Sequence, residues 1–404
     1  MTAGYLSPVT DRADVVIVGG GVIGCACAHE LARQGASVVL IERAELAAGA
    51  SGRNHGLLLA PLDPVMVPMA AASTEVYEEV GPRAPLSLHL DPKPSGLLLL
   101  ALDDDAEREA AAEEAEAAAR CGVRIEPLAG EALRSFEPAI APDFTEGWFL
   151  EDGRRLDPAA LTVALALLAR DLGADIRLHL TARSIVSDGR AARGVVTDAG
   201  VVSADTVVVA GGPWSTGLLR PLGIHLPVTG ARGWLVHLGP APGLTGRLVG
   251  RAGWHTIPGE DRPPPIRAAD LAEGDAAPFV SSLVQPNPDG TVLVGGSRQN
   301  AVTNEPEHPD VARLILRQAI GMLPVLRDSE VLSAWWGVRP MTPDGRPVVG
   351  FVQERLLVAT GHGSQGVILG GGTARLVASM AAGLPAPFDP DPYAPERFGP
   401  GRRP

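Results

Sequence analysis

The chain has 404 residues, 46% of them hydrophobic, enough to bury a large core and to form two domains. A formal net charge of −13 and an isoelectric point near 5.2 exclude a surface built for nucleic acid or anionic membrane, since both repel an acidic protein without a concentrated basic stripe. The first residues lack the charged start and apolar run of a signal peptide, and no window reaches the length of a membrane span, so the cytoplasm is the expected compartment.

Taken in chain order, DVVIVGGGVIGCACAHELARQGASVVLIER, from residue 14, predicts an apolar strand, a glycine turn, a helix closed by Gly35 and a second strand ending at Glu42. Gly19, Gly21 and Gly24 supply GxGxxG. The first permits a tight turn, the second lets backbone approach a pyrophosphate, and the third lets helix and strand pack closely. The helix N-terminus then faces the phosphates with unpaired N–H groups. Glu42 stands where a carboxylate accepts hydrogen bonds from ribose hydroxyls. Cys25 and Cys27 lie two apart on this helix and point in different directions, so they hold no metal jointly; with Cys121 they read as packing residues. The motif leaves NAD and FAD open.

The loop AAGASGRNHG, residues 47 to 56, is rich in small residues and amide or hydroxyl donors. FAD, extended across its domain, needs such a second set of contacts; an ordinary surface loop is the other reading. Residues 103 to 120, DDDAEREAAAEEAEAAAR, predict a solvated surface helix. RSIVSDGRAARGVVTDAGVVSADTVVVAGGPWS, from residue 183, predicts a strand, a hairpin and an apolar strand ending at Gly211 and Gly212, as where a parallel strand edge meets a dinucleotide. Residues 251 to 279, rich in proline, glycine and charge, predict a long loop bordering the site entrance, with Trp254 and His255 as contacts, or else a variable surface loop. RLLVATGHGSQGVILGGGTARLVASMAAG, from residue 355, predicts a strand, a glycine loop at 361 to 366 and a helix. The positive end of that helix suits the pyrimidine edge of an isoalloxazine, which gains negative charge on reduction, so these two later stretches favour flavin.

VVIVGGGVIG, ASGRNHG, DGRRLDPAALTVAL, VVVAGGPWS, DGTVLVGGS, WWGVRPMTPDGRPVVG and ATGHGSQGV, in that order, make the chain resemble the D-amino-acid oxidase, glycine oxidase and sarcosine oxidase flavoproteins over nearly its whole length. The resemblance implies an α/β fold: a discontinuous Rossmann-like FAD-binding domain of residues 1–75, 150–220 and 335–404, and an α+β substrate domain on an antiparallel sheet, residues 76–149 and 221–334. It implies FAD held noncovalently, no cysteine falling where the flavin's methyl edge is expected. Gly19, Gly21, Gly24, Glu42 and Arg43 would hold the adenosine end. Ser51, Arg53, Asn54, His55 and Gly56 would line the pyrophosphate and flavin, Arg183 the adenine, Gly211 a strand end beside the dinucleotide, and Gly363, Ser364, Gln365, Gly366 and Val367 the pyrimidine edge. Arg339 matches the arginine that binds a substrate carboxylate in glycine and D-amino-acid oxidases, with Leu57 beside the substrate; an interdomain salt bridge is its other reading.

The chain departs from those relatives in places. Ser364 and Gln365 stand where glycine oxidases bring a second polar contact, none of Tyr5, Tyr77 and Tyr393 matches a pocket tyrosine, and the apolar TVLVGGS stands where sarcosine oxidases keep a lysine. His55 resembles a flavin-proximal histidine of the sarcosine enzymes. The implied reaction is hydride transfer from the carbon bearing nitrogen to flavin N5, giving an imine that hydrolyses to an oxo acid, with oxygen as acceptor. The alternatives are a dehydrogenase of the same fold that feeds a carrier or quinone, and a non-catalytic Rossmann protein. The partners expected are a small amino acid or amine and an electron acceptor.

Overall fold

The computed structural model describes residues 11–252, 279–300 and 310–399. The first third of the chain forms β1 (Asp11–Val18), α1 (Val22–Arg33), β2 (Val38–Ile41), β3 (Leu57–Leu58), α2 (Val67–Val80), β4 (Leu97–Leu102), α3 (Asp105–Arg120), β5 (Ile125–Ala129), α4 (Gly130–Phe136) and β6 (Phe144–Leu150). There follow β7 (Arg154–Arg155), α5 (Pro158–Asp171), β8 (Asp175–Arg177), β9 (Ala182–Ser187), β10 (Ala192–Thr197), β11 (Gly200–Val209), α6 (Ser215–Leu219), β12 (Thr229–Leu238) and β13 (Leu248–Arg251). The last part supplies β14 (Phe279–Pro286), β15 (Val292–Asn300), α7 (Asp310–Met322), β16 (Val331–Met341), β17 (Val348–Gln353), β18 (Leu356–Thr360) and α8 (Gly366–Ala382).

The first sheet runs β17-β18-β11-β1-β2-β8, with the β9–β10 hairpin attached to β11. Its central pairs, from β18 through β8, are parallel. Parallel strands buried on both faces need apolar residues at every position, and Val15, Val16, Ile17 and Val18 are all buried. Val15 and Ile17 pack with α1, α5 and α8, while Val16 and Val18 pack with the β9–β10 hairpin. Cys25 and Cys27 sit fully buried in the first of these clusters, and burial pushes both thiols up. The acidic segment forms α3, capped by Asp104, which accepts from the Glu107 N–H at 3.1 Å.

The second sheet runs β16-β12-β15-β14-β13-β4-β6-β5. It is antiparallel except for β13 and β4, which pair in parallel; the long stretch of chain between them lets β13 enter in the same direction. One face carries α7 over Val236, Val284 and Val294, and the other turns Leu97, Leu99 and Leu283 toward the first sheet's helices. Because β16 pairs with β12 from Thr229↔Met341 to Leu238↔Val331, a domain boundary at residue 335 cuts through a strand of the second sheet. Two buried phenols tie later elements to α2 and its lead-in: Tyr77 donates to the Val367 carbonyl at 2.7 Å and Tyr393 to that of Val65 at 2.7 Å. Among the described residues no helix is long and apolar enough to cross a membrane, and no cluster of His, Cys, Asp and Glu could hold a metal.

Candidate active site

Parallel order brings the carboxyl ends of β1, β2, β11 and β18 to one edge of the first sheet, and the loops after them meet there. A cavity of about 700 Å³ opens at this edge and runs to the inner face of the second sheet. Gly19, Gly21, Glu42, Arg43, Ser51, Arg53, Asn54, His55, Leu57, Arg183, Gly211, Gly363, Ser364, Gly366, Val367 and Arg339 all line it. Gly24, Gly56 and Gln365 do not. A methyl group at Gly24 would collide with the Gly19 carbonyl, and one at Gly56 with the Leu156 carbonyl, so these two set backbone approach instead. Trp254 and His255 lie outside the described residues, as does nearly all of the expected entrance loop.

At the far end the polar groups are mostly backbone. The Glu42 carboxylate accepts from the N–H of Gly20 at 2.7 Å and of Ala44 at 2.8 Å, which fixes it at the end of β2 with lone pairs to spare. Helix α1 has no cap from Gly21; the Ser51 hydroxyl, from the loop after β2, accepts from the Val22 N–H at 2.9 Å. Asn54 folds that loop, donating to the carbonyls of Ala50 and Ser51 at 2.9 Å each and accepting from Gly56 N–H at 2.7 Å. Arg53 ties the loop to the second sheet by donating to the Ala48 carbonyl at 2.9 Å and the Trp336 carbonyl at 3.0 Å. Asn54 and Arg53 thus spend their polar groups on the protein itself.

Sequence reasoning passed over Trp214 and His362 as site residues. Trp214 lies under the Arg43 guanidinium, 4.2 Å from ring centroid to Cζ, and both line the cavity; an indole just after the glycine pair at a parallel strand end was the available signal. His362 is buried, with Nε2 3.0 Å from Thr373 Oγ1, and burial lowers its pKa to about 3. Helix α8 begins at Gly366 without a side-chain cap, and its first residues face the cavity. The loop before it needs glycine at two places, Gly361 at φ 78° and Gly363 at φ 55°.

At the near end side chains dominate. The Arg339 guanidinium donates from Nη1 to the Ser297 carbonyl at 3.0 Å and forms no ion pair with a described residue. Burial lowers its pKa to about 10, the Arg298 charge adding to the effect. Seven residues on, Arg346 has the partner that Arg339 lacks, bonding Asp63 at 2.6 Å. The His55 Nδ1 lies 3.2 Å from Gln285 Oε1, while the Gln285 amide donates to Asn287 Oδ1 at 3.3 Å. Gln285 is thereby an acceptor toward His55, which carries its proton on Nδ1 and leaves Nε2 bare and buried without a partner. Burial lowers the His55 pKa to about 4, the Gln285 bond opposing this and the Arg339 charge adding to it. His55 is therefore neutral at physiological pH.

A GxGxxG turn, a helix start beside it and an acid at the second strand end, all on one elongated cavity, define a dinucleotide-binding fold. The family model for FAD-dependent oxidoreductases of the D-amino-acid oxidase type matches residues 14–380, and the chain belongs to that family. It is 29% identical over 396 residues to glycine oxidase of Pseudomonas putida, covering 95% of this chain and 98% of that protein. It is 27% identical to D-amino acid dehydrogenase of Bradyrhizobium diazoefficiens, covering 95% and 98%. The crystal structure of glycine oxidase from Geobacillus kaustophilus superposes with a TM-score of 0.81 at 26% identity, covering 95% of this chain and 98% of that one.

Proposed function

We propose that the protein oxidises the C–N bond of an α-amino acid or an N-substituted glycine whose carboxylate is gripped by Arg339. One observation carries the reading. A half-buried guanidinium with no acidic partner among the described residues faces the cavity, whereas Arg346 on the following turn is neutralised by Asp63. An unpaired buried charge is costly, and a ligand carboxylate is the group that relieves it.

Bound along the cavity, FAD supplies a two-electron acceptor for a hydride equivalent from the carbon bearing nitrogen, the resulting imine hydrolysing to an oxo acid. Arg339 orients the carboxylate through a planar fork that keeps its proton at physiological pH. Neutral His55 adds no second positive charge beside Arg339. Leu57, Leu59 and Leu235 line the cavity and keep water from the reacting carbon. The uncapped α8 N-terminus, which faces the cavity, would favour negative charge on a flavin's pyrimidine edge held there. The two-sheet layout supports cofactor binding by the segments around the first sheet and substrate binding by the second. No cysteine lines the cavity, which supports noncovalent FAD. Three free thiols support a cytoplasmic setting.

Oxygen is the acceptor in the favoured reading; the D-amino acid dehydrogenase relative supports a carrier or quinone as the second. The test is an anaerobic screen of amino acids and matching decarboxylated amines for flavin bleaching, followed by an aerobic assay for hydrogen peroxide. Bleaching by amino acids but not by the amines is expected, with peroxide formed in air. Bleaching by amines alone would end the carboxylate reading, and bleaching without peroxide would select the carrier.

A further inference from the structure

The second sheet brings another guanidinium to the face that carries Arg339. Between β12 and β15 the register steps from Leu235↔Gly295 to Arg232↔Gln299, so β15 spends one more residue than its partner. That extra residue is a β-bulge, and it reverses the alternation beyond it. Paired residues share a face in an antiparallel ladder. Ala231 pairs with both Arg339 and Asn300, and Arg232 pairs with both Val338 and Gln299. Arg298, which precedes Gln299, therefore shares the face of Arg339. The other neighbour agrees: Val280, which packs under α7, pairs with Ser297, and Phe279 pairs with Arg298.

Arg339 reaches toward Arg298. Its Nη1 bonds the carbonyl of Ser297, the residue just before Arg298. It gets there by crossing Gly233, where a methyl group would collide with the guanidinium. Arg298 is half-buried, its Nε is buried without a partner, and no described acid forms an ion pair with it. Two guanidiniums thus stand on one face, Arg339 lining the cavity and Arg298 beside it just outside that lining, with no described carboxylate ion-paired to either, and burial lowers the pKa of both. Like charges brought together out of water are held at a cost that a doubly anionic ligand removes.

We propose that Arg298 is a second anion subsite, and that the substrate is an amino- or imino-dicarboxylic acid whose first carboxylate lies on Arg339 and whose second lies on Arg298. The inference rests on the carboxylate reading of Arg339 and adds the class of side group. It assigns the β15 bulge a purpose, since an unbulged strand would turn Arg298 to the α7 face.

The experiment compares glycine, sarcosine and both alanine enantiomers with iminodiacetate and both enantiomers of aspartate and glutamate, by rate of anaerobic flavin bleaching in the holoenzyme. In the wild type the best dicarboxylate should exceed the best monocarboxylate in efficiency by about tenfold or more. Arg298→Gln should lower efficiency on dicarboxylates by about thirtyfold and change monocarboxylates by less than about twofold, and Arg298→Lys should recover part of the loss. Independently of turnover, succinate should raise the Tm of the holoenzyme more than acetate does at equal concentration, and should do so less in Arg298→Gln. A wild type that prefers monocarboxylates, or a variant that weakens both classes equally, overturns the proposal and leaves the amino-acid reading standing. Failure of every amino acid to bleach the flavin sinks both. Should the variants not accumulate, the wild-type preference and succinate's effect on its Tm decide.

Discussion

The two ends of the cavity are built from different materials. At the end proposed for the adenosine the geometry is set by backbone: the N–H groups of Gly20 and Ala44 hold Glu42, and the Val22 N–H at the helix start is capped by Ser51. At the end proposed for the substrate the chain offers side chains standing on a sheet: Arg339 over Gly233, Arg298 beyond a bulge, and His55 oriented by Gln285. Backbone contacts depend on how closely elements approach, so there a single added methyl disturbs both fold and cofactor. Side chains on a finished sheet can be exchanged while the sheet persists. On the proposed reading, cofactor binding and substrate choice should be separable by mutation.

The largest expected effect tests the first half of that contrast. Gly24→Val would drive its side chain into the Gly19 carbonyl and force α1 away from β1. We expect a loss of several kcal/mol and a protein that purifies without flavin. Gly21→Ala is the matched control, because its methyl would meet only the Ser51 hydroxyl, at 3.0 Å. That variant should fold and bind FAD more weakly. Flavin-to-protein ratios near the wild-type value in Gly24→Val would show that backbone approach is not what this end depends on.

The next effect tests the second half. Arg339→Ala should retain FAD and lose about 3 kcal/mol of transition-state binding with carboxylate substrates, on the order of a hundredfold in kcat/KM. Its Tm should be unchanged or higher, because the native arginine is a half-buried, partly desolvated cation with no acidic partner among the described residues. The decisive quantity is efficiency for an amino acid over that for its decarboxylated analogue, in wild type and variant. Arg346→Ala should behave oppositely, leaving that ratio alone and lowering Tm through the stranded Asp63. A ratio that Arg339→Ala leaves unchanged removes carboxylate binding from Arg339.

The contrast also explains which parts could be read from the sequence. The βαβ unit, the Glu42 strand end, the β9–β10 hairpin with its following apolar strand, and the α8 glycine loop all announce themselves through local spacing, because glycine and strand ends are local requirements. Arg339 was legible only through its resemblance to a family pattern. Trp214 and His362 stood inside quoted motifs, yet a local pattern does not say that an indole will meet Arg43 or that an imidazole will turn toward Thr373. Gly233, Gly337 and Gln285 carry no local signal. Gly233 and Gly337 are paired across β12 and β16 and clear room for Arg339 and Arg53. Gln285 orients His55 from 230 positions away in the chain. The parallel β4–β13 pair and the place of β16 in the second sheet depend on register between distant segments, which composition does not encode.

The smallest expected effect sharpens the claim that the substrate end is dry and holds its positive charge on arginine alone. The His55 pKa is lowered from the usual imidazole value of 6.5 to about 4, burial being the main cause. The unfolded chain takes up a proton at this residue as pH falls through 6.5, and the folded protein does so only near 4. Folded stability from this residue is therefore present above about 6.5 and declines as pH falls toward about 4, the opposite of a histidine that gains an acidic partner. His362 and the carboxylates titrate over an overlapping range, so the informative quantity is a difference between two proteins. Replacing His55 by Asn removes the titration and keeps a polar side chain of moderate size. Tm measured from pH 7 to pH 4 should fall by a few degrees more in the wild type than in His55→Asn, the two curves converging at the acid end. Curves that stay parallel would mean that His55 is solvated or already charged in the folded protein, and with that the picture of a dry wall beside Arg339 would fail.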